Sequence, residues 1–211
     1  MSLKKSLQKH RARTQKVSAT YPSFWSRIST EKAGAKIETT TLPFLQRLQT
    51  AEPYETWFSM YSAAEKRYYD ALELAINGTA YSTGAIYLFG YVAEMCLKTA
   101  YFQFVGELPT ADLMSKSGPI STAMKSPYFT GGNKKAHDLV CWANLIIGAR
   151  RAKNNPLSPI LVTELSYHVD VLANDWTVDL RYKFTNATPL EIEDVLVSVD
   201  WLRNNYDSLW R

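Results

Sequence analysis

The side chains of this sequence that could do chemistry fall into three groups. The first is Glu94 and Lys98, one helical turn apart in the favourable order for an ion pair, with His137, Arg181 and Tyr182 further along the chain. A carboxylate, an ammonium, an imidazole and a guanidinium brought together could move a proton or hold an anion. A buried, satisfied ion network is the structural alternative. The second group is Gly131, Gly132, Lys134 and Lys135, in the run Thr130–Lys135 just before a helix start. Flexible glycines, free helix-start amides and two ammonium groups suit a phosphate, although the spacing is not that of a P-loop. The third is an arm carrying Lys4, Lys5, Lys9, Arg11, Arg13 and Lys16, which could bind nucleic acid by counterion release. It has no aromatic residue before Tyr21, so it lacks stacking platforms of its own. No metal-ligand pair, nucleophile elbow or dinucleotide-binding fingerprint occurs, so neither metal nor cofactor is expected.

These groups need elements to position them. The stretch Tyr81–Phe104 is apolar on nearly all sides, as a helix inside a bundle is. One face carries Phe89, Val92, Cys96 and Ala100, while Tyr87, Tyr91, Glu94, Lys98 and Tyr101 form a second seam. A charge on so apolar a helix must find a partner. The expectation is that Glu94 accepts from Arg181 or His137, with Arg181 the better candidate because a guanidinium gives a carboxylate two parallel hydrogen bonds.

A helix from about Pro53 to Ile76, stopped by Asn77-Gly78, precedes the central one. His137-Asp138 opens another that runs to about Ala152, where Asp138 gains from the helix dipole and His137 can cap the helix or face a ligand. Ser158-Pro159 starts a third, whose apolar stripe continues through Trp176 and Leu180 to about Lys183, with a kink at Asn174-Asp175. Thr188 to Glu191 forms a capping box for the last, with Ile192, Val195, Val199, Leu202, Tyr206 and Leu209 inward. No period-two alternation competes with these patterns. The fold class is all-α: an antiparallel bundle of four to five main helices with an N-terminal extension. The expected organisation is a basic flexible arm at 1–20, a surface-wrapping extension at 21–50, and the bundle at 51–211.

Gly90–Phe102 (GYVAEMCLKTAYF), Ala136–Leu139 (AHDL), Trp176–Tyr182 (WTVDLRY) and a final helix, in that order, resemble a HEPN domain (higher eukaryotes and prokaryotes nucleotide-binding). The resemblance covers roughly residues 53–209. It implies a helical bundle, often a homodimer, in a family rich in toxin ribonucleases and in partners of small nucleotidyltransferases. Ribonuclease members use Arg, then four to six intervening residues, then His. That spacing is missing before both His137 and His168.

Charge and cysteine content narrow the setting. Residues 1–36 hold nine Lys/Arg against Glu31 alone, whereas the remaining residues carry a net charge of −4. Two cysteines, Cys96 and Cys141, both in apolar helical context, fit buried thiols in a reducing compartment. There is no signal-peptide pattern and no apolar run long enough to span a membrane, so the expected location is the cytoplasm. The expected function is a non-catalytic HEPN-like binding or interaction module linked to a toxin–antitoxin or defence system. Its partners would be a second copy of the chain, a nucleotidyltransferase-type protein, and RNA or a nucleotide. The alternative is a divergent metal-independent ribonuclease or nucleotide-binding bundle, with His137 as candidate catalytic residue among nearby basic residues.

Overall fold

A computed structural model describes residues 55–115, 118–132 and 134–211 of the chain, together with Pro43, Leu45 and Gln46. The chain divides into two compact units, Met1–Pro53 and Tyr54–Arg211. In the first, Leu45 and Gln46 are helical. The basic arm with Lys4, Lys5, Lys9, Arg11, Arg13 and Lys16, and nearly all of the 21–50 extension, lie outside the described residues.

The second unit is an all-α antiparallel bundle. Its helices are α1 (Trp57–Ile76), α2 (Ser82–Val105), α3 (Pro119–Met124), α4 (Leu139–Ala152), α5 (Pro159–Asp175), α6 (Pro189–Asn204) and α7 (Tyr206–Trp210). Short 3₁₀ turns at Thr79–Tyr81 and Val178–Tyr182 join them, and no strand occurs among the described residues. α2 is central and packs against α1, α4, α6 and α7. Phe89, Val92, Ala93, Leu97 and Ala100 are fully enclosed, so the all-round apolar pattern of this helix has its physical reason. Cys96 is enclosed with them, and burial pushes its thiol up to about 12.

Local chemistry fixes the helix starts. Thr56 caps α1, accepting from the Ser59 amide at 3.1 Å, and Ser59 returns the bond in a capping box. Pro53, expected to open this helix, lies outside the described residues. Ser158 caps α5 ahead of Pro159, and Thr188 and Glu191 form the reciprocal box at the start of α6.

One boundary departs from the sequence pattern. The apolar stripe predicts helix to about Lys183 with a kink at Asn174-Asp175, but α5 ends outright at Asp175, and Trp176 takes an extended backbone with φ −126° and ψ 137°. The chain re-enters a 3₁₀ turn only at Val178. The cause is tertiary: the Trp176 indole lies flat against α2, where a β-carbon added at Gly90 would fall 2.0 Å from the ring. Its Nε1 donates to the Tyr87 carbonyl at 3.1 Å.

Two contacts between distant parts of the chain close the bundle. Arg203 of α6 gives Glu65 of α1 two hydrogen bonds, 3.1 and 2.7 Å, with its guanidinium 3.7 Å from the centre of the Tyr68 ring. The Tyr68 hydroxyl donates to Asp200 at 2.5 Å.

Candidate functional site

The site is a seam along α2 where the second residue row meets the start of α4 and the turn after α5. Glu94 lies at its centre. Its side chain is 4% exposed, and the Lys98 ammonium pairs with it within the same helix. The partner from outside the helix is His137. Its Nδ1 lies 3.0 Å from both Glu94 carboxylate oxygens, while the ring remains 48% exposed. Burial pushes the Glu94 carboxyl up, but the His137 hydrogen bond and the Lys98 charge outweigh it, so Glu94 stays below its ordinary value. An ionised Glu94 requires the proton on Nδ1. In the neutral ring, Nε2 is then the acceptor nitrogen.

Trp142 organises this arrangement. Its Nε1 donates to the Ala136 carbonyl at 2.8 Å, fixing the residue before His137. Its ring sits 5.4 Å from the Lys98 ammonium, a cation–π contact that helps satisfy a nearly buried charge. His137 comes just before α4, and Asp138, not His137, is the cap, accepting from the Cys141 amide at 3.0 Å.

Arg181, expected as the better partner for Glu94, does not join it. The guanidinium is exposed and contacts the Tyr182 ring at 4.8 Å and the Tyr87 hydroxyl. The reason is the early end of α5. The turn around Trp176 carries Arg181 to the outer edge of α2, beside Tyr87 and one helical turn before Tyr91. Tyr182 is 73% exposed and likewise stands apart from Glu94. Arg181 and Glu94 are instead linked through two tyrosines. Tyr87 and Tyr91 share a hydroxyl contact of 3.3 Å, and the Tyr91 ring packs edge-on against both His137 and Trp176. Burial first, and then the hydrogen bond with Tyr87, push the Tyr91 hydroxyl up to about 12.

The glycine-rich loop is drawn around a carboxylate. Gly131, Gly132 and Lys134 all have positive φ (92°, 45° and 53°). A β-carbon on Gly132 would lie 1.7 Å from an Asp138 carboxylate oxygen. The α4 start that could have received a phosphate therefore already has an anion against it, and the Cys141 amide is taken. Lys134 and Lys135 are exposed at the edge of this loop. The cage around Asp138 gives both glycines a local structural purpose.

Arg181 and Tyr182 belong instead to an alternation with Lys183 and Phe184. All four are exposed, and Phe184 is 96% exposed. Thr83 holds this segment to α2 by donating to the Thr185 carbonyl. A shallow pocket of about 250 Å³ opens there, lined by Thr83, Tyr87, Arg181, Lys183, Phe184 and Asn186 among others. Cations alternating with aromatics offer phosphate contacts and stacking surfaces together. The sequence pattern places Arg181, Tyr182 and Lys183 at the end of a helix, and the early end of α5 at Asp175 is what sets the alternation out on the surface. Among the described residues, no three of His, Cys, Asp and Glu converge as a metal-ligand set. No helix among them is long and apolar enough to cross a membrane.

Set against known proteins, the chain matches no family model, no curated protein and no solved structure.

Proposed function

We propose that the bundle is a HEPN-like binding module without catalytic activity of its own. Its working face is the strip from His137 over Tyr91 and Tyr87 to Arg181 and Phe184. The observation that carries this reading is the exposed Arg181-Tyr182-Lys183-Phe184 run beside the pocket. The ligand it suits is a single-stranded nucleic acid or a nucleotide: guanidinium and ammonium for phosphate, Phe184 for a base face, Asn186 and Thr83 for polar edges. The HEPN resemblance adds the setting, a toxin–antitoxin or defence system, with a homodimer and a nucleotidyltransferase-type protein as partners.

A labelled single-stranded oligoribonucleotide, followed by fluorescence anisotropy, tests this. Binding should weaken with rising salt and fall in Phe184→Ala and Arg181→Ala. Undiminished binding by both variants removes the face from the function.

One observation favours a second reading. His137 is oriented by a buried carboxylate and leaves Nε2 as the acceptor nitrogen, the arrangement of a general base. In a metal-independent ribonuclease, Nε2 would take the proton of a ribose 2′-hydroxyl, and Arg181 would face the phosphate. Cleavage of the same oligonucleotide, lost in His137→Ala, would establish that reading in place of the first.

A further inference from the structure

The opposite character appears on the outer surface of α5 and α6. These helices run antiparallel, with His168 of α5 meeting Ser198 of α6 at 3.2 Å and stacking on Trp201. Ile160 and Tyr167 stand seven residues apart on α5, and Leu190 and Val197 seven apart on α6, so each pair marks one stripe. All four are exposed. Helical spacing places both stripes on the solvent side of the α5–α6 seam, because the core residues Leu165, Leu172, Val195 and Val199 occupy the inner side.

The charge on this surface has one sign. α5 contains no Lys or Arg, and the single cation of α6, Arg203, is turned inward to Glu65. Glu164, Asp170 and Asp194 lie exposed along it, with no Lys or Arg paired to them among the described residues. Asp175, Glu191 and Asp194 converge where the two helices meet. Nucleic acid and anionic membranes are repelled by such a surface. Two copies meeting through it would set carboxylates against carboxylates.

We propose that the α5–α6 surface is a docking site for a basic amphipathic helix of a partner protein. The two apolar stripes receive its apolar face, and Glu164, Asp170 and Asp194 receive its flanking Lys and Arg. This is helix-in-groove recognition, with the sign of the charge selecting the partner. It concerns a different surface from the His137–Phe184 strip and stands or falls separately.

The test uses the full chain and a short fluorescein-labelled peptide with Leu at helical spacing and Lys between. A Glu-for-Lys peptide of the same pattern serves as comparator. The Lys peptide binds and the Glu peptide does not. Tyr167→Ala with Val197→Ala weakens binding about tenfold or more, as for central apolar anchors. Glu164→Gln with Asp194→Asn flattens its salt dependence. These positions are exposed, so far-UV circular dichroism of the variants stays that of the native chain. Equal binding of both peptides, or unchanged binding by the Tyr167/Val197 double variant, overturns the proposal. So does self-association of the chain that the same double variant abolishes, since the surface would then belong to a second copy.

Discussion

The imidazole of His137 spans the carboxylate of Glu94, with Nδ1 equidistant from its two oxygens at 3.0 Å. The acid is enclosed and the histidine half-exposed, so the two should respond differently to removal. Glu94→Gln leaves the Lys98 ammonium buried without a counter-charge, and the expected loss of stability is about 3–5 kcal/mol in urea unfolding. His137→Ala leaves the Glu94–Lys98 pair in place and should cost only about 1 kcal/mol. A loss below about 1 kcal/mol for Glu94→Gln would mean that the pair is not a structural support.

The same carboxylate carries a pH signature. Its pKa is below the ordinary value in the folded chain, so its contribution is whole above the unfolded carboxylate pKa of about 4.3. It is lost as pH falls through the lower, folded value. The stability gap between wild type and Glu94→Gln should therefore hold steady from neutral pH to about 4.5 and close only below that. A gap that closes well above pH 4.5 would count against Glu94 as its source.

His168 should act in a higher window. Burial against Ser198 and Trp201 lowers its pKa, with Glu164 partly opposing the shift. The unfolded histidine takes up a proton near pH 6.5, before the folded one does. Stability should fall as pH drops through that range and level off below the folded pKa. Urea midpoints for His168→Gln should change less across the same range, and parallel curves would count against the assignment.

Gly90→Ala places a methyl group where the Trp176 indole lies. Overpacking of this kind costs about 1–3 kcal/mol. The tryptophan must leave, and with it goes the anchor of the Val178–Tyr182 turn. Tryptophan emission should shift to the red and oligoribonucleotide binding should weaken with it. Unchanged emission with unchanged binding would show that the turn holds its place without the indole.

Leu97→Ala, at a fully enclosed position of α2, should cost about 2–5 kcal/mol. A loss under about 1 kcal/mol would mean that the neighbouring side chains collapse into the space.

The sequence carried the helices well where local chemistry and burial agree. Thr188, Pro189 and Glu191 start α6 as their types require, and the inward residues of α6 and α7 are all enclosed. It marked a kink at Asn174-Asp175 but carried the helix on to about Lys183, because no proline or glycine announces a full break at Trp176 and the apolar spacing runs on. The break is imposed by Gly90, 86 residues earlier, and local pattern contains no such information. That single event also moved Arg181 away from Glu94. The need of Glu94 for a partner was legible, because its helix is too apolar to leave it alone. The choice of His137 was not, since it depends on Trp142 holding Ala136 across a turn.

The ties between α1 and α6 also govern the order in which this chain can assemble. Glu65 and Arg203 are 138 residues apart, and Tyr68 and Asp200 are 132 apart. α1 and α2, joined by a short turn, need only local contacts and can pair within microseconds. Closing the far longer loop to α6 carries a larger entropic cost and comes later. In the interval, the sides of α2 that α4, α6 and α7 cover in the folded chain stand open to solvent. A nascent chain bearing α1 and α2 alone therefore carries an apolar surface that only the later helices bury.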